Sequence, residues 1–212
     1  MVERIAAKPT IWNGIKYRSR TEARWAVFFQ ELNITARYEE DRFTLSNGIK
    51  YLPDFYLPVF DVFLEVKPDS ADIITKEWVK AQQLALDLKK DEKKTGVWLS
   101  TGSPDQNSAT IIPLSDSSDY FNHRENRIIA EEDIGQTLAN EYGRYFLLED
   151  RRDKGIFWLK AGNRESEEIP HVFSVGGWGE VTDHDRYPII TNNLLRAYER
   201  ANMRWEDLLS KR

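Results

Sequence analysis

The 212-residue chain has no cysteine, which excludes a disulfide framework, a thiolate zinc centre and a thiol nucleophile. It has three histidines, His123, His171 and His184, and they show no paired metal spacing. No apolar run approaches the ~20 residues needed to span a bilayer, and the start from Met1 to Pro9 lacks the apolar core of a signal peptide. A soluble, cytoplasmic protein without a membrane partner is the expectation. Basic excess is missing too. The formal net charge of -5 does not favour nucleic acid as a partner, although binding depends on a local basic patch rather than on the total. Gly176-Gly177-Trp178-Gly179 lacks the Lys-Ser/Thr of a phosphate loop, so it reads as an ordinary turn.

What is present describes an ordinary globular chain, 41% hydrophobic and 31% charged, long enough to bury a core. Its seven tryptophans read as core rather than as platforms for stacking bases. Ser115-Asp116-Ser117-Ser118-Asp119 has linker composition and divides residues 1–115 from residues 116–212.

The most informative stretch runs from Tyr51 to Lys67. Leu52 to Leu57 and Val62 to Lys67 read as strands, and Pro58-Val59-Phe60-Asp61 is short enough to link them as a hairpin. A turn centred there sets Leu57 opposite Val62, Phe55 opposite Leu64 and Asp54 opposite Glu65. Alternation then places Lys67 on the face of Glu65 and sends Phe55, Leu64 and Val66 into a core. Two facing carboxylates repel and need compensation. Acids with an amine alongside suit Mg²⁺ held by oxygen ligands, an ion that can act on a phosphodiester while Lys67 orients water or neutralises charge. A merely solvated surface hairpin is the competing account, but these charges sit within nearly continuous apolar runs, where bare charge is costly.

Upstream, Trp25, Phe28, Phe29 and Leu32 recur at helical spacing, and Glu22 shares their inward stripe. Ser19-x-x-Glu22 is also a capping box, so Glu22 is either a metal ligand or a cap; beside the hairpin, the metal role is preferred. Lys8, Lys16, Arg18, Arg20 and Arg24 gather around this helix. They suit DNA phosphates near the acids and equally a solvated basic face.

Together, Tyr17 to Glu22, Tyr38-Glu39-Glu40, Pro53 to Pro58 and Glu65-Val66-Lys67 resemble the PD-(D/E)xK nuclease superfamily, and within it phage-type endonuclease I, a Holliday-junction resolvase. The resemblance spans roughly the first third of the chain. It implies a restriction-endonuclease-like α/β core, a mixed β-sheet flanked by helices, with a smaller α+β C-terminal region. It also implies Asp54 and Glu65 as metal ligands, Glu22 completing a second metal position and Lys67 as catalytic amine. Mg²⁺, with Mn²⁺ as a substitute, would be the cofactor, and DNA such as a four-way junction the substrate. A homodimer in the cytoplasm of a bacterium or phage-infected cell would suit such work. A structure-insensitive nickase, a restriction-like enzyme or a non-catalytic DNA-binding protein are the alternatives. One departure is Pro68 after Lys67, where the family usually has glycine.

Elsewhere the pattern predicts a turn at Asn13-Gly14, one strand from Arg37 to Leu45 and a turn at Ser46-Asn47-Gly48. A helix capped by Asp72 and carrying Ile74, Trp78, Ala81, Ala85 and Leu88 should cross over to a strand at Val97 to Ser100, parallel to the hairpin. Ile111 to Leu114 reads as a short edge strand. A helix at Ile128 to Tyr142 and strands at Arg144 to Leu148, Ile156 to Lys160 and His171 to Val175 follow, with a loop at Asp183-His184-Asp185. A single helix from Thr191 to Leu209 closes the chain; its Arg196, Arg200 and Arg204 either grip phosphates or pair with Glu199 and Glu206.

Overall fold

A computed structural model describes residues 7–67, 76–91, 95–105, 111–114, 145–150, 157–161, 172–174, 177–179, 188–189 and 191–210. The linker at Ser115 to Asp119, the helix at Ile128 to Tyr142, the Asp72 cap, the three histidines and Asp183 to Asp185 lie outside the described residues. Strands β1 (Thr10–Trp12) and β2 (Ile15–Tyr17) pair antiparallel. Their link holds Asn13 at φ 49° and Gly14 at φ 78°, the left-handed pair that a two-residue hairpin needs and that Asn-Gly adopts at little cost.

Helix α1 (Arg20–Glu31) starts where Ser19 Oγ accepts the Glu22 N–H at 3.1 Å. Its inner face buries Ala23, Trp25, Val27, Phe28 and Phe29, as the helical spacing predicts. The expected strand from Arg37 to Leu45 is broken into β3 (Arg37–Tyr38) and β4 (Phe43–Thr44). The run Glu39-Glu40-Asp41-Arg42 between them offers no apolar side chain to bury, and Glu39 turns the chain at φ 49°. β4 pairs instead with β5 (Lys50–Tyr51) in a separate hairpin, turned at Gly48 with φ 80°.

The central hairpin forms in the expected register. In β6 (Phe55–Leu57) and β7 (Val62–Lys67), Leu57 faces Val62 and Phe55 faces Leu64. β6 is shorter than expected and leaves Asp54 in a bend before it, because Pro53 has no N–H to give a ladder. Helix α2 (Lys76–Lys90) crosses to β8 (Gly96–Thr101), which lies parallel to β7 as the crossover predicts. β9 (Ile111–Pro113) runs antiparallel to β8. It is not an edge strand, since Ile111 also pairs with Tyr145 of β10 (Tyr145–Asp150).

β11 (Phe157–Ala161) continues the sheet beyond β10, giving the order β11-β10-β9-β8-β7-β6-β3. β12 (Val172–Ser174) and β13 (Gly177–Gly179) form a small hairpin, and β14 (Pro188–Ile189) pairs with β10. Gly177 to Gly179 are therefore strand rather than turn, with Trp178 opposite Phe173, a pairing of two strand-favouring residue types. The architecture is α/β with a mixed sheet. Among the described residues, no helix is long and apolar enough to cross a membrane.

The C-terminal helix is two helices, α3 (Asn192–Asn202) and α4 (Trp205–Ser210). Met203 between them is extended (φ -58°, ψ 156°), and the Asn202 side chain ends α3 by donating to the carbonyls of Pro104 and Tyr198. α3 rests on α1: the Phe28 and Tyr198 rings lie 4.7 Å apart, and the Tyr198 hydroxyl donates to the Leu147 carbonyl at 3.0 Å. Alternation along β7 separates two cores. Leu64 and Val66 join Trp25, Phe28, Leu194 and Tyr198, while Phe63 joins Leu84, Leu88, Val97 and Leu99. Because Phe28 is fully buried where α1 meets α3, Phe28→Ala should cost about 3–5 kcal/mol, read as a lowered midpoint in urea unfolding.

Candidate functional site

One end of the sheet collects the C-terminal end of β7, the bend before β6, the end of β3 and the start of α1. Three carboxylates are buried here, Asp54 at 1% exposure, Glu65 at 2% and Glu22 at 5%. Asp54 does not extend the ladder opposite Glu65. Its Oδ2 accepts the Val66 N–H at 2.7 Å, its Oδ1 meets the Arg18 guanidinium, and its carbonyl accepts the Glu39 N–H at 3.0 Å. Glu65 Oε1 lies 2.5 Å from Lys67 Nζ, and its Oε2 accepts the Tyr51 hydroxyl at 2.8 Å. Glu22 Oε1 accepts from Ser19 Oγ at 2.8 Å; its Oε2 accepts from the Tyr38 hydroxyl at 2.6 Å and the Arg18 N–H at 3.1 Å. Arg18 also places Nε 2.6 Å from Glu39 Oε1.

Electrostatics record the crowding. Burial, then the charge of Glu65, raises the Asp54 pKa above the usual carboxylate range; Lys67 opposes this and Glu22 adds to it. Burial also raises Glu65, against the pull of Lys67, Tyr51 and Arg18. Burial works against the charged form of Arg18, but Asp54, Glu39 and Glu22 outweigh it and hold the guanidinium firmly protonated. Tyr17 is pushed up to about 12 by burial and by Glu22. Tyr38 is raised by burial and by its hydrogen bond to Glu22.

Asp54, Glu65 and Lys67 are thus brought together. Glu22 fills the capping role through Ser19 and the Arg18 N–H, and its charge still reaches Asp54. Arg18 stands at the acids, half exposed. Lys16 is exposed on β2. Arg20 and Arg24 lie one helical turn apart, and Arg24 is committed to α3 through a 2.9 Å bond to Asn202 Oδ1. Arg200 pairs with Glu31 of α1 at 3.3 Å, rather than with Glu199 or Glu206, because α3 packs along α1.

Sequence reading missed Tyr51, Tyr38 and Glu39 as members of this network. Tyr38-Glu39-Glu40 stands out as a matched segment, yet nothing in its spacing ties Tyr38 to Glu22 or Glu39 to Arg18. Tyr51 lies beyond the reach of strand alternation, because β5 belongs to another sheet.

Among the described residues, no group of three or more His, Asp or Glu is arranged to hold a metal ion. Every carboxylate oxygen of Asp54 and Glu65 meets Arg18, Val66, Lys67 or Tyr51. The donor set still fits a hard divalent cation, being all carboxylate, buried and mutually repelling. The arginine that meets Asp54 has a side chain 54% exposed, so it has room to leave.

No protein-family model matches the chain, and neither the curated proteins nor the solved structures contain a match to it.

The raised Asp54 pKa has a consequence for stability. Folding holds the Asp54 proton to higher pH than the unfolded chain does, so stability falls as pH rises from the ordinary carboxylate range through the raised value. Asp54→Asn keeps an acceptor for the Val66 N–H and removes that charge. In divalent-free buffer it should raise Tm by about 2–4 °C near pH 8 and flatten the decline of Tm between pH 5 and about pH 8. Differential scanning calorimetry across that range gives the comparison.

Proposed function

We propose that this chain is a divalent-metal-dependent DNA endonuclease with a restriction-endonuclease-like core, cutting phosphodiester bonds in branched DNA such as four-way junctions. The observation that carries the reading is the burial of Asp54 beside Glu65 at one end of the sheet, with Lys67 Nζ 2.5 Å from Glu65. Nuclease chemistry explains why a chain would keep so costly a cluster. The preference for branched DNA rests on the resemblance of the four sequence segments alone.

In this reading Asp54 and Glu65 hold the ion, Mg²⁺ or Mn²⁺, with Glu22 assisting through its charge on Asp54. The ion supplies polarisation of the phosphoryl oxygen and a lowered pKa for the attacking water. Lys67, pinned by Glu65, orients that water and meets the negative charge that develops on the phosphate. Tyr51 fixes the Glu65 carboxylate from the other side. Arg18, displaced from Asp54, would keep Glu39 as its acidic partner. A homodimer would match the two-fold symmetry of a junction, and cytoplasmic residence would give access to DNA.

A second reading treats the ion-paired network as structure only, in a non-catalytic DNA-binding protein. Its support is that Arg18 and Lys67 already neutralise the acids. Cleavage of junction, nicked, single-stranded and linear duplex DNA separates the two. We expect junction cleavage with Mg²⁺ or Mn²⁺, none in EDTA, and a loss of at least about a hundredfold for Asp54→Ala, Glu65→Ala and Lys67→Ala. Metal-independent cutting, or full activity in Asp54→Ala, rejects the mechanism. Inactivity on every substrate with DNA binding retained favours the second reading.

A further inference from the structure

Three cations near the acids are committed: Arg18 to Asp54 and Glu39, Lys67 to Glu65, Arg24 to Asn202. A chain of net charge -5 that holds a polyanion at this end gains from positive charge beyond Lys16 and Arg20. The β4–β5 hairpin provides it. A cavity of about 300 Å³ there is lined by Arg42, Phe43, Thr44, Lys50, Tyr51 and Leu52. Arg42 and Lys50 are both exposed, and neither has an ion pair or side-chain hydrogen bond among the described residues. Thr44 and Lys50 are direct cross-strand partners, so a hydroxyl and an ammonium stand side by side on the outer face, while Tyr51 is buried.

Tyr51 connects this cavity to the acids. It is among the lining residues, and its hydroxyl donates to Glu65 Oε2 at 2.8 Å. Tyr51 is thus shared by the cavity lining and the carboxylate network. Two unpaired cations and a hydroxyl select a phosphate, and a volume at the low end of small-molecule sites suits one nucleotide unit.

We infer that the groove bounded by Arg42, Thr44, Lys50 and Tyr51 is a subsite for a phosphodiester of the DNA strand flanking the bond that is cut. The inference rests on the nuclease reading for its substrate, and its test does not require cleavage.

In an Asp54→Asn background in EDTA, binding of a fluorescent four-way junction is measured by anisotropy across a series of salt concentrations. Arg42→Ala with Lys50→Ala should weaken binding about tenfold or more. It should also reduce the slope of log affinity against log salt by about 1.4–1.8, the loss expected for two phosphate contacts. The charge-preserving pair Arg42→Lys with Lys50→Arg should keep most of the slope. Arg196→Ala with Arg204→Ala, equal in charge but on α3 and the link to α4, which join the core of the opposite sheet face, should leave it nearly unchanged.

An unaltered slope in the Arg42/Lys50 variant overturns the subsite, as does an equal loss in the Arg196/Arg204 control or a parent protein that binds no DNA. An inactive wild-type chain whose binding still depends on Arg42 and Lys50 keeps the subsite and rejects only the nuclease. A metal-dependent nuclease whose salt slope ignores both residues rejects only the subsite.

Discussion

Burying three carboxylates at one sheet end is the constraint around which this fold is arranged. Each of Asp54, Glu65 and Glu22 is nearly inaccessible to water, and each would be costly there without partners. The partners come from four places: Arg18 and Ser19 at the start of α1, Tyr38 on β3, Tyr51 on β5, and Val66 and Lys67 on β7. No two neighbouring elements alone could satisfy the cluster. The chain has to bring the start of α1, the β3 edge and the central hairpin to one point, and the order β8-β7-β6-β3 with α1 on one face does so.

The packing supports that convergence from both sides. α1 is fixed by its own aromatic face and by α3, while α2 covers the other face through Leu84, Ala85 and Leu88. The Trp25 indole N–H donates to the Gly102 carbonyl at 3.0 Å, and the Gly102 N–H donates to the Lys67 carbonyl at 2.7 Å. These bonds lock α1 to the strand ends that carry Glu65 and Lys67. Rigid support of this kind is what a site of mutually repelling groups requires, since small displacements would let water in or the acids apart.

Where the sequence was legible, one period governed the answer. Strand alternation fixes the register of Phe55 on Leu64, and helical spacing fixes the buried face of α1. Legibility fails where side chains override the period. Asp54 leaves the ladder to accept the Val66 N–H, Glu39 takes a left-handed turn that splits an expected strand, and Asn202 ends a helix whose apolar spacing continues through Trp205 and Leu208. The same applies to the site. The acids and Lys67 stand close together in the sequence, but Tyr51 and Tyr38 reach the cluster from other strands, and no local pattern encodes such contacts.

The two cations at the acids are not equivalent, and the difference decides how the site can change. Lys67 is 15% exposed, its ammonium pinned to Glu65, and it sits on a strand paired along both edges. Moving it would break a buried pair without offering the carboxylate a substitute. Arg18 is 54% exposed, lies on no strand or helix, and already has Glu39 as a second acidic partner. Leaving Asp54 therefore does not strand its charge. A divalent cation arriving at the cluster would compete with Arg18 for Asp54 Oδ1, and the mutual repulsion of Asp54 and Glu65 would favour the ion of higher charge. On the proposed function, an ion at Asp54 would displace the exposed guanidinium and leave the pinned amine of Lys67 in place.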